Sequence, residues 1–277
     1  MTESSTSVRT VEETPAYWRI VFDNPPLNVV DGSVFEGLQA LLTRMDASPD
    51  LRVVVFESAN PEFYLAHFDM SGKSASVGRN VGPSGLPIPT DAFVRLTRSP
   101  VVSIAKIRGR VRGVGSEFVL ACDMRFASRE RTILGQPEVG VGVIPGGGGT
   151  ERLPLLVGRG RALEIILGAN DFDGETAERY GYVNRAVSDS ELDAFVDELA
   201  RRIASFDRRP IATAKDLVNH VSLPSVDRLL ESRSAFATTL TWPETQRRVQ
   251  ALFRRGLQQE GDLEERFGAH LATLLDT

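Results

Sequence analysis

The sequence predicts a mixed α/β fold in its first part and helices alone in the remainder. Short apolar runs typical of strands alternate with amphipathic helical segments up to about residue 205. Beyond that point the pattern is helical, and no internal repeat of fixed period is visible. Strands mixed with helices, followed by helices alone, indicate an α/β core with a helical appendage.

Two strands and one helix are predicted in the first part of the chain. Ala16–Phe22 is rich in aromatic and β-branched residues and ends at an Asn-Pro-Pro turn. Asp31 is a good N-cap for a helix that runs to about Ala47, in which apolar residues recur three and four positions apart. Arg52–Phe56 is a short apolar run, typical of a strand that is buried on both faces.

A segment without periodicity separates these elements from the next strand. Residues 71–90 are rich in Gly, Ser and Pro, which predicts a mobile loop. Asp91–Ser99 predicts a short helix and Val101–Ile107 a further strand. Glu117–Cys122 is helical in pattern, and from Gly160 onward helical segments predominate.

Three units follow from this order: a flexible polar arm over residues 1–13, an α/β core over 14–205 and a helical region over 206–277. The arm has no apolar stretch of the kind found in a secretory signal. The helical region is expected to pack either on a partner subunit or on its own core, since the pattern fits both.

Composition excludes several classes of protein. The 277 residues are 42% hydrophobic, enough for a sizeable core, and the net charge of −5 argues against a nucleic-acid partner. The single cysteine, Cys122, cannot form an internal disulfide, and with three histidines it cannot supply a Cys/His zinc site, so no metal is expected. No apolar run reaches the roughly 20 residues of a membrane helix. We therefore expect a cytoplasmic protein without a membrane partner.

Two common catalytic motifs are absent from the sequence. No G-x-S-x-G nucleophile elbow occurs, because Gly113-Val114-Gly115-Ser116 lacks the required frame. The glycines at 146–149 are not followed by the lysine of a phosphate-binding loop. A tight turn before a helix is the simpler explanation of this glycine run.

Two carboxylates stand among largely apolar neighbours. Glu117 lies at the start of a predicted helix, and Glu138 lies in the run Gly-Gln-Pro-Glu-Val-Gly-Val. Burial makes a charged carboxylate costly and raises its pKa towards neutrality, which suits general acid/base chemistry. The alternative for each is a solvated turn residue or an acid that stabilises a helix start.

A third candidate segment, Phe63–Met70, follows a predicted buried strand and contains His67. Loops after buried strands are places where backbone N–H groups become free to contact a ligand. The alternative for His67 is an ordinary packed or surface histidine.

Several of these motifs, in order, resemble those of the crotonase superfamily of enoyl-CoA hydratases and isomerases. The first extends from Ser99 to Asp123 and contains Gly115-Ser116-Glu117. The second is Gly135-Gln136-Pro137-Glu138, followed by the glycine run that begins at Gly146. The resemblance covers most of residues 15–205.

This resemblance implies a ββα superhelix of repeated strand–strand–helix turns with a C-terminal helical trimerisation region. It also implies a homotrimer or a dimer of trimers. The substrate would be an acyl-CoA thioester, and no separate cofactor is expected because coenzyme A is part of that substrate. The thioester oxygen would lie between the backbone N–H groups of Ala66 and Val114, with Leu65 as the alternative to Ala66. The residues expected to line the substrate site are Leu65, His67, Asp69 and Gly146.

In hydratases of the family both glutamates are present, whereas isomerases often need only the second. The presence of Glu117 and Glu138 therefore favours an enoyl-CoA hydratase that gives a 3-hydroxyacyl-CoA. The alternatives are a double-bond isomerase, another thioester enzyme of the same scaffold, or a catalytically silent member.

The chain also departs from the family pattern at two positions near the predicted site. Val114 stands where glycine is common, and Arg112 is expected to form an ion pair with Glu117 or Glu138. The C-terminal arginines are candidates for coenzyme A contacts, although a solvated helix face explains them as well; they are Arg247, Arg248, Arg254 and Arg255.

Overall fold

The computed structural model describes residues 7–74, 77–78 and 80–274. The strands in these residues are β1 Val8–Thr14, β2 Tyr17–Phe22, β3 Val53–Ser58, β4 Phe63–Leu65, β5 Val102–Ile107, β6 Arg110–Arg112, β7 Met124–Ser128, β8 Ile133–Gly135, β9 Asp171–Asp173 and β10 Arg185–Val187. The helices are α1 Gly32–Asp46, α2 Ile88–Arg98, α3 Val114–Ala121, α4 Glu138–Val141, α5 Gly149–Val157, α6 Arg159–Gly168, α7 Gly174–Tyr180, α8 Asp189–Ala204, α9 Arg208–Ser222, α10 Val226–Thr239, α11 Pro243–Arg254, α12 Asp262–Glu265 and α13 Phe267–Leu271.

The larger sheet has six strands in the order β1-β2-β3-β5-β7-β10. β1 runs antiparallel to β2, and the other neighbours are parallel. β3 confirms the prediction of a strand buried on both faces. Val53 and Val55 pack with the apolar face of α8, whereas Val54 and Phe56 enter the main core on the opposite face. This division follows from the period of two in a strand.

The smaller sheet has four strands in the order β4-β6-β8-β9, and its first three strands are parallel. The carboxyl ends of parallel strands meet at one edge of a sheet. Each of these three strands leads directly into a segment of interest: β4 into Ala66–Met70, β6 into α3, and β8 into the turn before Glu138. The sheet therefore brings together three segments that are far apart in sequence.

Aromatic packing anchors α3 between the two sheets. The ring of Phe118 meets Phe22 at 5.2 Å and Phe56 at 5.0 Å, both edge to face. Edge-to-face pairs of this kind stabilise a core beyond the area that they bury. α3 is buried along its whole length, and its position is fixed by both sheets.

The C-terminal helices differ in whether they pack on this chain's own core. α11, α12 and α13 pack on this chain's own α4 through an apolar cluster that includes Val141, Leu252 and Phe267. α9, in contrast, has no buried residue and leaves Leu217 and Val221 exposed. α9 therefore leaves apolar side chains that another contact could cover.

Two expectations about flexible segments need correction. Of the predicted arm, residues 1–6 lie outside the described residues, but Val8–Thr14 forms β1 and pairs with β2. The β-branched residues of this stretch favour a strand despite its polar composition. Residues 75, 76 and 79 of the predicted loop also lie outside the described residues. The following helix begins at Ile88 rather than at Asp91, because a proline at its start already holds the helical φ angle.

None of the helices in the described part of the chain combines the length and apolar character that a bilayer-spanning helix requires.

Candidate active site

A cavity of about 440 Å³ lies between the edge of the smaller sheet and the C-terminal helices. One side, here called the core wall, consists of Gly113, Val114, Glu117, Glu138 and Gly147. The opposite side, the helical wall, consists of Arg233, Phe236, Leu240, Gln246, Val249 and Phe267. The loop after β4 contributes His67 through Gly72, and Pro89 closes one end. A second, more open groove of about 600 Å³ between α5 and α9 contains neither glutamate.

Glu117 is buried in the first turn of α3 and points at the glycine run. Its Oε1 atom accepts hydrogen bonds from the N–H of Gly147 at 2.7 Å and of Gly149 at 2.9 Å. Burial raises the pKa of Glu117, while these two amides and the nearby Arg152 lower it, and the result is a pKa of about 7. A carboxyl with this pKa can take up and release a proton at neutral pH.

The glycine run is therefore part of the site and not only a turn. A Cβ at Gly147 would lie 2.6 Å from Oε2 of Glu117, so the close approach depends on glycine. Arg152, in the following helix, donates a hydrogen bond from Nη1 to the carbonyl of Gly147 at 3.0 Å. Arg152 thus holds the peptide whose neighbouring amides bind Glu117.

Glu138 is the first residue of α4, and it lines the same cavity. Its Oε1 accepts a hydrogen bond from Nε2 of Gln136 at 3.0 Å, while its buried Oε2 has no partner in the part of the chain that the structure describes. Burial and the charge of Glu117 raise the pKa of Glu138 well above its usual range. The raised pKa favours the protonated form of Glu138, whose side chain lines the cavity.

A buried chain of hydrogen bonds fixes the orientation of Glu138. Ser116 Oγ donates to Oε1 of Gln136 at 2.8 Å and lies 2.5 Å from the hydroxyl of Tyr182. With its Oε1 occupied, the amide of Gln136 presents its Nε2 to Glu138. Sequence reasoning did not identify these supporting residues; Gln136 lies in the same motif as Glu138, but Tyr182 carries no local signal.

Gly113 permits the close approach of Glu138 to the start of α3. Gly113 has a φ angle of 52°, in the left-handed region, and a Cβ there would lie 3.1 Å from Oε1 of Glu138. The next residue, Val114, lines the cavity at the first position of α3, where a helix leaves its N–H groups without intrahelical acceptors. The placement of Val114 agrees with its predicted role as a donor to the thioester oxygen, which remains a prediction.

The prediction that the Ala66 N–H is the second donor to the thioester oxygen is wrong. Its N–H donates to the carbonyl of Asn28 at 3.2 Å and is not available to a ligand. The alternative, Leu65, lies in β4 beneath the cavity and does not line it. Leu65 instead packs against α3, since a Cβ at Gly115 would lie 2.5 Å from its carbonyl oxygen.

The geometry favours Phe68 in place of Ala66. The carbonyl of His67 accepts a hydrogen bond from Val30 N–H at 2.8 Å. In a trans peptide the carbonyl and the following N–H point in opposite directions, so the N–H of Phe68 points away from Val30. Phe68 lines the cavity, and its N–H has no acceptor among the described residues. The sequence gives no signal for this difference, because the peptide directions depend on pairing with Asn28 and Val30.

The other predicted lining residues are His67, Asp69 and Gly146, and all three line the cavity. Asp69 accepts hydrogen bonds from the backbone N–H of Ser71 at 2.9 Å and from Nε2 of Gln258 at 3.0 Å. Burial opposes the ionised form, but these donors outweigh it and hold the pKa of Asp69 well below its usual range. Asp69 therefore organises the loop after β4, and its carboxylate is already occupied.

His67 is paired with Glu264, a fully buried residue of α12. Nε2 of His67 lies 3.0 Å from Oε1 of Glu264, and Nδ1 lies 2.9 Å from the carbonyl of Phe68. Burial alone would lower the pKa of His67, but Glu264 raises it above its usual value. This pair connects the loop that carries Phe68 to the C-terminal helices.

Arg112 does not form the ion pair that the sequence suggested. Its guanidinium contacts Asp171 at 2.7 Å and donates to the carbonyls of Glu264 and Glu265, which turns it away from both catalytic candidates. β6 places Arg112 beside β8 and β9, because the strand alternation directs this side chain to the opposite face from Val111. Arg112 thus fastens the C-terminal segment to the smaller sheet.

The C-terminal arginines do not line the cavity, and the cation that does was not predicted. Arg248 donates to the carbonyls of Gly140 and Leu271, and Arg247 pairs with Glu244. Arg233 of α10 lines the cavity. Its position in sequence gave no signal, because only the packing of α10 shows which face of that helix meets Glu117.

Comparisons with known proteins agree with this architecture. Residues 13–258 match the profile of the Enoyl-CoA hydratase/isomerase family. A short-chain-enoyl-CoA hydratase from Clostridium acetobutylicum is 30% identical over 211 residues, which cover 75% of this chain and 79% of that protein. A crotonyl-CoA hydratase from Syntrophomonas wolfei is 29% identical over 216 residues, covering 76% of this chain and 81% of that protein.

Solved structures confirm the predicted fold class. The crystal structure of a provisionally assigned enoyl-CoA hydratase from Streptomyces avermitilis has a TM-score of 0.91 and 42% identity, covering 98% of both chains. An enoyl-CoA hydratase from Mycobacterium avium subsp. paratuberculosis has a TM-score of 0.78 at 20% identity, covering 88% of this chain and 98% of that chain. The second likeness concerns the fold alone. The crotonase-like fold therefore includes this chain's C-terminal helices.

Proposed function

Because this chain belongs to the enoyl-CoA hydratase/isomerase family, we propose that it is an enzyme that adds water to a 2-enoyl-CoA thioester and gives a 3-hydroxyacyl-CoA. One observation carries the proposal: a single cavity contains two buried glutamates whose surroundings raise their pKa values to different extents. Glu117 has a pKa of about 7 and accepts two amide hydrogen bonds, while the pKa of Glu138 is raised well above its usual range. Such a pair supplies one base and one acid at neutral pH.

The thioester carbonyl oxygen is proposed to lie between the N–H groups of Val114 and Phe68. Addition of water at the β-carbon builds negative charge on this oxygen, and preorganised donors stabilise the resulting enolate. The positive end of the α3 dipole points at the same place, since Val114 is the first residue of that helix. Both residues line the cavity that holds the glutamates.

The proton steps follow from the two pKa shifts. Glu117 takes a proton from water as the water oxygen forms a bond to the β-carbon, and the double-bond electrons move towards the thioester oxygen. Glu138 then gives its proton to the α-carbon as the enolate collapses. One proton enters Glu117 and one leaves Glu138, so exchange with solvent must restore the starting protonation states.

Hydration of crotonyl-CoA, followed by the loss of enoyl-thioester absorbance, tests the proposal. E117Q and E138Q are each expected to lose between about 100-fold and 10,000-fold in kcat, the usual range for a general acid or base. E178Q, which changes an exposed glutamate of α7, is the control and should retain full activity. An E117Q enzyme that keeps most of its activity on a 3-enoyl-CoA would instead favour the isomerase.

We also propose that the chain forms a homotrimer, or a dimer of trimers, through the face of α9 that carries Leu217, Val218 and Val221. These apolar side chains are exposed, and apolar patches of this kind mark contact surfaces. Light scattering on the wild type and on a V221D variant tests this: the wild type should have three or six times the monomer mass, and V221D should dissociate.

Cys122 is a buried free thiol, which fits the proposed cytoplasmic location.

A further inference from the structure

The helical wall presents one cation to the cavity. Arg233 extends from α10, is only partly exposed and lines the cavity beside Phe236. Its guanidinium lies over the ring of Phe236, with Cζ 5.2 Å from the ring centroid. A Cβ at Gly78 would lie 2.0 Å from Nη2, so this glycine leaves the space that the guanidinium fills.

Arg233, which is partly exposed, differs from the buried arginines in its lack of an acceptor. Arg112 has Asp171, Arg125 donates to the carbonyls of Tyr182 and Cys122, and Arg152 donates to Gly147. For Arg233, no carboxylate at ion-pair distance and no hydrogen-bond acceptor occurs in residues 7–74, 77–78 and 80–274. Removing a guanidinium from water costs free energy unless it is paired. A cation left in this state inside a ligand cavity indicates that the ligand supplies the anion.

The position of Arg233 shows which part of the ligand would carry the charge. Phe236, the neighbour of Arg233 on α10, packs on the glycine run, since a Cβ at Gly146 would lie 2.6 Å from its Cβ. The glycine run binds Glu117, which acts at the β-carbon in the proposed reaction, and Arg233 and Glu117 attract each other electrostatically. The thioester oxygen is proposed to lie at the start of α3. An acyl tail that extends past the β-carbon on the side of Glu117 that faces α10 would reach Arg233.

We propose that Arg233 binds a carboxylate at the distal end of the acyl chain. The substrate would then be the 2-enoyl-CoA thioester of an unsaturated dicarboxylic acid. This inference rests on the proposed hydration and adds the substrate class. The planar guanidinium can donate two parallel hydrogen bonds to a carboxylate, an interaction that an ammonium cannot reproduce. The apolar side chains around it would contact the methylene groups between the double bond and that carboxylate.

The test compares two substrates of five carbons, glutaconyl-CoA with its terminal carboxylate and 2-pentenoyl-CoA without one. Wild-type enzyme is expected to prefer glutaconyl-CoA in kcat/KM. R233M should lower kcat/KM for glutaconyl-CoA by about 10- to 100-fold, the usual worth of a charge-assisted hydrogen bond. The same variant should change kcat/KM for 2-pentenoyl-CoA by less than about threefold. This is well below the tenfold change that corresponds to about 1.4 kcal/mol. R233K keeps the positive charge but cannot donate two parallel hydrogen bonds. Its kcat/KM for glutaconyl-CoA should therefore lie between those of wild type and R233M.

R228M is the matched control, because Arg228 lies on the same helix, is exposed and pairs with Glu231. It should leave both substrates unaffected. Pantetheine thioesters of the two acids provide a second arm, since they lack the phosphates of coenzyme A. A loss in R233M that is seen with coenzyme A thioesters and disappears with pantetheine thioesters would assign Arg233 to a coenzyme A phosphate and overturn the inference.

Two further outcomes separate this inference from the proposed function. If wild type hydrates 2-pentenoyl-CoA and R233M loses both substrates equally, the proposed function stands and the inference is overturned. If wild type hydrates neither substrate, calorimetric binding of glutaryl-CoA and pentanoyl-CoA decides. A selective loss of glutaryl-CoA binding in R233M then supports the inference without hydration, and equal binding of the two ligands by wild type overturns it.

Discussion

The core wall and the helical wall of the cavity differ in how their charged groups are satisfied. On the core wall, Glu117 accepts two backbone amides and Glu138 is held by Gln136. On the helical wall, apolar side chains surround Arg233, and within the described residues this cation has no acceptor. The protein itself therefore satisfies the core wall except at Oε2 of Glu138, whereas the one cation of the helical wall has no acceptor among the described residues. This contrast indicates that the core carries the reaction and the C-terminal helices carry the choice of acyl chain.

The largest effect is expected where the two walls are fastened together. R112M removes a fully buried guanidinium from the partly buried carboxylate of Asp171 and removes donors to two carbonyls of the C-terminal segment. Breaking a buried ion pair in this way costs roughly 3–5 kcal/mol of unfolding free energy. Urea denaturation measures the loss, and R266M, which breaks an exposed pair with Asp262, is the control. Equal midpoints for R112M and wild type would mean that Arg112 does not join the walls.

The next largest effect concerns the amide at the start of α3. V114P removes the N–H at a position where a helix tolerates proline, the first residue of α3. The expected loss is about 100- to 1,000-fold in kcat, the usual cost of one oxyanion donor. V114A keeps the N–H and should remain active. If V114P folds, as circular dichroism would show, and stays fully active, Val114 does not bind the thioester oxygen.

The pH dependence of stability sharpens the description of the core wall. Burial raises the pKa of Glu117 in the folded state to about 7, so the folded protein holds this proton more tightly than the unfolded chain does. Stability therefore falls as the pH rises from the unfolded value of 4.5 towards 7, and the loss is complete above 7. E117Q removes this pH dependence. As the pH rises across that interval, its free energy of unfolding relative to that of wild type should therefore increase by up to roughly 3 kcal/mol, since one pKa unit is about 1.4 kcal/mol. Parallel stability curves for the two proteins would contradict this.

The smallest effect is expected from Arg152, which acts through Glu117. Its charge lowers the pKa of Glu117, so R152M should move the acidic limb of the kcat/KM profile to higher pH. A shift of about one unit would reduce the rate about tenfold at a pH below the limb. R152K keeps the positive charge, so its kcat/KM profile should remain close to that of wild type. A uniform loss at every pH, without a shift of the limb, would show that Arg152 acts only through the shape of the glycine run.

Sequence patterns were sufficient for the core wall because its parts are local. Their apolar neighbours and the family resemblance of their motifs singled out Glu117 and Glu138. The apolar run of β3 predicted a strand buried on both faces, which the structure shows. The donor was misplaced at Ala66 because the direction of one peptide depends on its pairing with Asn28 and Val30, which lie far away in sequence. Arg233 was missed for a similar reason. Helical periodicity shows that α10 has faces, but only tertiary packing decides which face meets the cavity.

One cavity holds Glu117 and Glu138, and the proposed reaction depends on raised pKa values for both carboxyls. Carbon-13 NMR of the glutamate side-chain carboxyls, titrated with pH and assigned with E117Q and E138Q, measures this directly. We expect Glu117 to titrate near 7 and Glu138 to titrate well above the ordinary glutamate value. Titration of both carboxyls near the ordinary glutamate value of about 4.3 would contradict it.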